Sequence, residues 1–186
     1  EEVVQLSRLP EYYQGPDRQF DRQHGLRRRI LSHSEDILQR LEKTAERVDI
    51  PFDGANSAVA WRCWGNGPAI LLLHGDYGSW THFIRNIEPL SERFRLLVPD
   101  MPGYGDSGLP ELQDLVVDSA QIMADGVDAL IGDDAVYDIV GFSYGGIHAG
   151  HMAAIHRGRV RRVVLIGAGG MGVDAPVEYK RPLKRL

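Results

Sequence analysis

The chain has a single cysteine, Cys63, among its 186 residues, so no intrachain disulfide can form. It also lacks an opening segment in which positive charges precede an apolar stretch, as a secretion signal requires. Its longest aliphatic run, Ala69 to Leu73, is far shorter than the roughly 20 residues needed to cross a bilayer. These absences predict a soluble, cytoplasmic protein with no membrane partner.

An excess of charge of one sign is also absent. The 26 acidic and 21 basic residues are interspersed and sum to a formal charge of -5. Without a strong field, nucleic acid is not expected as a partner. Hydrophobic and charged residues make up 43% and 25% of the chain, which is close to the average of globular proteins and predicts a well-buried domain.

Three segments can be told apart. Residues 1–43 are predicted to form an N-terminal extension, in which Ser32 to Glu35 has capping-box spacing before a packing helix that ends near Lys43. Residues 44–170 form the core, and residues 171–186 are expected to begin a lid or to form a disordered tail. Within this last segment, the stretch APVEYKRPLKRL at 175–186 contains apolar residues without evident partners.

The core combines alternating and continuous hydrophobic patterns. Two alternating segments predict a β-hairpin, the first with Val48, Ile50 and Phe52 and the second with Val59, Trp61 and Cys63. The continuous runs PAILLLHG, RLLVPD, VYDIVGF and RRVVLIG predict buried strands, with helical periodicity between them over 80–93, 111–131 and 144–158. This order predicts an α/β fold with a mostly parallel sheet and helices on both faces.

A serine stands where a predicted strand changes into a helix, in the stretch VYDIVGFSYGG. Gly141, Ser143 and Gly145 have the GxSxG spacing of a tight strand-to-helix turn, which exposes the serine oxygen above the sheet. The two glycines leave room for the neighbouring strand and helix. The amides of the helix N-terminus would then point toward developing negative charge.

Two more motifs follow strands earlier in the chain, LLLHGDYGSW and LLVPDMPGYGDSG. Each lies at the carboxyl end of its predicted strand, where open α/β sheets place their sites. Together with GFSYGG they resemble the α/β-hydrolase family over about residues 45–175. The resemblance implies that Ser143 is the catalytic nucleophile and that the backbone amides of Asp76 and Tyr144 form the oxyanion hole.

The resemblance also implies supporting roles. His74 and Gly75 would hold the loop after the strand, with the Asp76 carboxylate pointing away from the oxyanion, and Gly141 and Gly145 would support the turn. Trp80 and Phe142, together with Tyr144, are candidates to line the substrate pocket, although core packing explains each of them equally well. No metal site and no cofactor are expected.

The base and acid of a catalytic triad have no counterpart in this sequence. The histidines after Ser143 are His148, His151 and His156, and the predicted helix carries them away from the serine oxygen. Asp174 is a weak candidate for the acid. We therefore expect an incomplete hydrolase chain, truncated after a sixth strand and inactive by itself, whose last strand forms an exposed hydrophobic edge.

Other functions remain open at this point. The chain could be a non-catalytic binding protein on a hydrolase scaffold. GAGGMG at 167–172 matches the dinucleotide fingerprint GxGxxG, but it is followed by Pro176 rather than by an evident helix, so an oxidoreductase is disfavoured.

The favoured prediction is a serine hydrolase for a small carbonyl substrate, either a carboxylester with an apolar acyl group or a diketone cleaved at a C–C bond. A haloperoxidase-like activity is a third choice. The oligomeric state, including a homo-oligomer, stays open.

Overall fold

The structure is a computed structural model that describes residues 36–52, 57–111 and 113–171. The chain divides after Lys43 into two units, Glu1–Lys43 and Thr44–Leu186. The described part of the first unit is helical and belongs to α1 (residues 36–44), on which Leu41 is buried. This agrees with the predicted end of the helix, whereas the capping box at Ser32 to Glu35 lies outside the described residues.

The second unit begins with the predicted β-hairpin. Strand β1 (Glu46–Pro51) pairs antiparallel with β2 (Ala58–Trp64), so this prediction is confirmed. β2 is buried on both faces rather than on one, although it contains Arg62. Arg62 can be buried because it forms an ion pair: its Nη1 lies 3.2 Å from Asp100 Oδ2, and the carboxylate compensates the charge.

A mostly parallel sheet of six strands forms the centre of the unit, with the order β1-β2-β4-β3-β5-β6. The remaining strands are β3 (Ala69–Leu73), β4 (Arg95–Pro99), β5 (Tyr137–Phe142) and β6 (Val160–Ile166). β4, β3, β5 and β6 pair in parallel along that row, whereas β2 pairs antiparallel with both of its neighbours, β1 and β4. The predicted fold class is therefore confirmed.

The core lies where β3 and β5 meet the helices. Leu71 and Leu73 join Trp61, Met123 and Met152 in one hydrophobic cluster. All five residues of β3 are buried, as expected of a strand covered on both faces.

The predicted continuous helix over 80–93 is wrong. The chain forms a 3-10 turn at Trp80–Phe83 and then the short helix α2 (Ile87–Ser91). Pro89 has no N–H to donate to the Arg85 carbonyl, and its ring would collide with the preceding turn of a continuous helix. Near the start of α2 it is tolerated, because the first N–H groups of a helix have no partner within the helix.

Two longer helices follow the sequence prediction more closely. α3 (Leu115–Ile131) begins later than predicted, because the side chain of Asp114 caps it by accepting hydrogen bonds from the amides of Val116 and Val117. α4 (Tyr144–Ile155) ends before the predicted residue 158. Along the described ranges, no helix combines the length and apolarity that crossing a bilayer requires.

β6 is the outermost described strand on its side of the sheet. Its apolar residues Val163 to Ile166 are 39–49% exposed. The predicted hydrophobic edge is present, because β5 is the only strand of the described residues that pairs with β6.

Candidate active site at the carboxyl edge of the sheet

Three chain segments meet at the carboxyl ends of neighbouring strands. We call them the β3 loop (residues 74–79), the β4 loop (residues 100–108) and the β5–α4 turn (residues 141–146). β3 lies between β4 and β5 in the sheet, so the β3 loop stands between the other two. The structure thus brings the three sequence motifs to one edge.

Ser143 occupies a strained position in the β5–α4 turn. Its backbone has φ 51° and ψ −115°, which lies outside the φ/ψ regions that residues with a side chain favour. Its side chain makes no capping hydrogen bond. Its amide donates to the Ile166 carbonyl at 2.8 Å, which fastens the turn to the end of β6. Among the described residues, Ser143 and Tyr77 are the only non-glycine residues with positive φ. Such conformations cost roughly 1–3 kcal/mol and cluster at functional sites.

The turn needs glycines because neighbouring atoms leave no room for a side chain at these positions. A methyl group at Gly141 would lie 2.6 Å from the Gly145 carbonyl oxygen, and one at Gly145 would lie 2.3 Å from the Leu73 carbonyl oxygen. A methyl group at Gly146 would lie 2.4 Å from the Ala168 side chain. Each distance is below van der Waals contact, so glycine is what permits α4 to start directly above β3.

His74 holds two loops together and is fully buried. Its Nε2 accepts the Met101 amide at 2.9 Å, which leaves Nδ1 protonated to donate to the Gly75 carbonyl at 2.8 Å. Burial lowers the pKa of His74 below its usual value of 6.5 and favours this neutral ring. With both nitrogens engaged, the side chain joins the β3 loop to the β4 loop.

The β3 loop passes directly beside the serine. A methyl group at Gly75 would lie 3.1 Å from Ser143 Cβ, so the chain that leads to Asp76 runs next to the nucleophile candidate. Tyr144 follows the serine at the first position of α4, where its amide has no acceptor within the helix. The Asp76 carboxylate accepts hydrogen bonds from the Tyr104 hydroxyl at 2.6 Å and from the Tyr77 amide at 2.9 Å.

Asp100, at the start of the β4 loop, is a buried anchor for its own loop and for the 3-10 turn that follows the β3 loop. Its carboxylate accepts the Trp80 amide at 2.8 Å and the Asp106 amide at 3.0 Å, and it pairs with Arg62. A methyl group at Gly105 would lie 2.4 Å from this carboxylate, so the loop wraps closely around it. The buried charge is compensated and hydrogen-bonded, which makes the loop positions well determined.

Trp80 and Phe142 differ in their surroundings. Trp80 is buried, its ring lies 5.7 Å from the Trp64 ring, and the Arg62 guanidinium lies 5.0 Å from its centre. These contacts favour the packing alternative for Trp80. Phe142 is 37% exposed beside the serine and meets the His82 ring edge-on at 5.5 Å, so its place as a pocket residue stays a prediction.

Sequence reasoning missed two site residues, Tyr104 and His82. Tyr104 binds Asp76, and its ring lies 5.3 Å from the His74 ring. The Nδ1 atom of His82 accepts a hydrogen bond from the Gly75 amide at 3.2 Å. An aromatic residue between two glycines of the motif PGYG could have signalled the first. No comparable sequence signal pointed to His82, because the segment 80–93 was expected to be an ordinary helix.

Of the three histidines after Ser143, His148 and His156 are buried in the protein, whereas His151 is exposed on α4. His148 is buried, and its Nδ1 donates to the Tyr144 carbonyl at 3.2 Å. His156 is hydrogen-bonded to the Tyr137 hydroxyl at 2.9 Å, at the opposite end of β5. Burial lowers the pKa of both histidines. Within the described ranges, no group of three or more His, Cys, Asp or Glu side chains is arranged to bind a metal ion.

The Tyr144 hydroxyl is buried and has no hydrogen-bond partner among the described residues. Burial raises the pKa of Tyr144 in the first place, and the charges of Asp76 and Asp114 add to it. The hydroxyl therefore stays protonated as a donor at neutral pH.

The glycine-rich segment after β6 does not open a helix within the described residues. Gly167 to Met171 follow the strand as bends and coil, and Gly172 lies outside the described residues. A dinucleotide fingerprint needs a helix N-terminus at this point to receive the pyrophosphate.

Comparison with known proteins identifies hydrolases. The family model described as "alpha/beta hydrolase fold" matches residues 68–184. The chain is 36% identical over 117 residues to 2-hydroxy-6-oxo-6-phenylhexa-2,4-dienoate hydrolase from Burkholderia cepacia, covering 59% of this chain and 40% of that protein. It is 32% identical over 113 residues to pimeloyl-[acyl-carrier protein] methyl ester esterase from Vibrio atlanticus, covering 61% of this chain and 41% of the esterase.

A solved structure of a meta-cleavage product hydrolase variant is similar as well, with a TM-score of 0.60 and 29% identity over 70% of this chain and 48% of that one. The chain thus spans less than half the length of each of these relatives.

Proposed function

Because the chain belongs to the alpha/beta-hydrolase fold family, we propose that it supplies the nucleophile and the oxyanion hole of a serine hydrolase. The observation that carries the proposal is the position of Ser143. The residue holds a strained backbone at the carboxyl edge of the sheet, on a turn whose glycines are required by contacts of 2.6 Å or less. Strain of this kind is retained where a reactive side chain must be presented.

In the proposed reaction the Ser143 oxygen attacks a substrate carbonyl carbon. A C–O bond forms, the serine proton passes to a general base, and the carbonyl oxygen becomes an oxyanion that the amides of Asp76 and Tyr144 stabilise. The leaving group departs with a proton, and water then hydrolyses the acyl-enzyme. For a diketone, the serine would mainly polarise the carbonyl before the C–C bond breaks. The mechanism uses no cofactor.

We assign no general base within the described residues. Both ring nitrogens of His74 are engaged, and His148 is buried against the Tyr144 carbonyl. His82 Nδ1 is engaged by the Gly75 amide. Asp174, the weak candidate for the acid, lies outside the described residues. We propose that the base and acid lie outside the described residues, in keeping with the greater length of the relatives.

The names of the relatives support a carbonyl substrate. One relative is named for the hydrolysis of a dienoate that bears a ketone, and another for the hydrolysis of a methyl ester. Both reactions need the same parts, a nucleophile and donors for an oxyanion. We therefore propose a small apolar ester or a diketone as the substrate class.

The test is covalent labelling of the complete natural protein with a fluorophosphonate probe, followed by peptide mapping and an ester hydrolysis assay. We expect the label on Ser143, and we expect Ser143→Ala to lower kcat by about 10⁴-fold or more. Ser91→Ala is the matched control, because Ser91 lies on α2 and its hydroxyl donates to the Glu88 carbonyl. Undiminished turnover in Ser143→Ala would rule out the proposed nucleophile.

A further inference from the structure

The β3 loop carries a carboxylate where the proposed mechanism needs an N–H donor. Asp76 would offer its backbone amide to the oxyanion, yet its side chain is negatively charged. A carboxylate free to turn toward the site would oppose the developing charge. The loop therefore needs a contact that keeps the side chain of Asp76 in one place.

Tyr104 makes that contact. Its hydroxyl donates to Asp76 Oδ1 at 2.6 Å, and the same oxygen accepts the Tyr77 amide at 2.9 Å. Burial raises the pKa of Tyr104, and the hydrogen bond to Asp76 adds to the rise, so the hydroxyl remains a donor at any pH at which the enzyme would work.

The backbone of Tyr104 is itself held firmly. Its amide donates to the Met101 carbonyl and its carbonyl accepts the Ser107 amide, both at 2.9 Å. The loop around it closes on the buried Asp100 carboxylate, against which Gly105 lies too close for a side chain. The Tyr104 ring rests on the His74 ring at 5.3 Å. The hydroxyl is therefore delivered to Asp76 by a rigid support.

We propose that Tyr104 is a positioning residue of the oxyanion hole: its hydroxyl fixes the Asp76 carboxylate, which orients the Asp76 amide toward the oxyanion and keeps the negative charge away from it. The inference rests on the proposed serine hydrolase function. It adds a residue that would act through Asp76 without touching the substrate. It also explains how a charged residue is compatible with this position.

The experiment measures inactivation of the complete natural protein by a fluorophosphonate, because this reaction depends on Ser143 and the oxyanion hole and needs no known substrate. We expect Tyr104→Phe to lower kinact about 10-fold with KI unchanged, since the probe still binds but the donor is misplaced. In the Asp76→Asn background the same change should cost less than about 2-fold, because no charge remains to be held.

Tyr137→Phe is the matched control. Its hydroxyl also makes one side-chain hydrogen bond, to His156 at 2.9 Å, but it lies at the far end of β5, so kinact should not change. Thermal unfolding of each variant checks that the fold is retained.

Equal losses from Tyr104→Phe in both backgrounds, or no loss in either, would overturn the positioning role while leaving the nucleophile in place. If the parent protein were not labelled on Ser143, the proposed function would fail and this inference with it.

Discussion

Two glycine-rich segments leave the same edge of the sheet from neighbouring strands. In the β5–α4 turn, methyl groups at Gly141, Gly145 and Gly146 would approach other atoms to 2.6 Å or less. In the segment after β6, which we call the β6 exit (residues 167–170), a methyl group at Gly169 would meet nothing closer than 3.6 Å, and one at Gly167 would meet nothing within 4 Å.

The two segments show that a glycine pattern has different causes in different surroundings. In the β5–α4 turn the glycines permit a helix to start against the backbone of β3, and the turn holds Ser143 in a strained conformation. In the β6 exit, the glycines are not crowded by neighbouring atoms of the described residues, although Gly167 and Gly170 have positive φ. Three substitutions test this difference.

The largest effect is expected from Gly145→Ala. Its methyl group would lie 2.3 Å from the Leu73 carbonyl oxygen and 2.5 Å from the His74 carbonyl oxygen, so α4 and β3 must move apart. We expect the free energy of unfolding to fall by about 2–3 kcal/mol, measured by urea denaturation. Gly150→Ala in the same helix is the control, because nothing lies within 4 Å of it. It should raise stability by about 0.5–1 kcal/mol. If Gly145→Ala and Gly150→Ala changed the free energy of unfolding equally, the contrast between a crowded and an open glycine position would be wrong.

An intermediate effect of opposite sign is expected from Ser143→Gly. Glycine accepts φ 51° and ψ −115° without steric cost, so the strain of the turn is released. After the greater freedom of glycine in the unfolded chain is counted, the net gain should be about 1 kcal/mol in urea denaturation. Ser143→Ala keeps a Cβ in the strained conformation and should not gain. A gain in both variants would point to a cause other than the backbone.

The smallest effect is expected from Gly169→Ala in the β6 exit. The closest atom to the new methyl group is Ile147 Cδ1 at 3.6 Å, which is ordinary contact. The free energy of unfolding should change by less than about 0.5 kcal/mol. A loss as large as that of Gly145→Ala would mean that the β6 exit is packed as tightly as the turn after β5.

The sheet was predictable because its signals are local. Continuous apolar runs predicted β3, β4, β5 and β6, and alternation predicted the β1–β2 hairpin. The predictions failed where one residue or one distant charge decides the outcome. Pro89 divides the expected helix over 80–93, and the partner Asp100 allows Arg62 to be buried in β2.

The candidate site was predictable in part for the same reason. Gly141, Ser143 and Gly145 have the GxSxG spacing of a tight strand-to-helix turn, and the structure places them on one. His74 was expected to support its loop, and its two hydrogen bonds join the β3 and β4 loops. Tyr104 was not singled out, because its partner Asp76 lies 28 positions earlier in the chain.

By itself, the sequence determined the order of strands and helices and the position of the serine turn, since hydrophobic period and the sterics of glycine act over a few residues. Only the tertiary structure decided which side chains meet at the sheet edge. The pairing of β3 between β4 and β5 brings three loops together, and hydrogen bonds between them can form only after that pairing. The contact of Tyr104 with Asp76 is of this kind, and the ion pair of Arg62 with Asp100 likewise needs β2 to pair with β4.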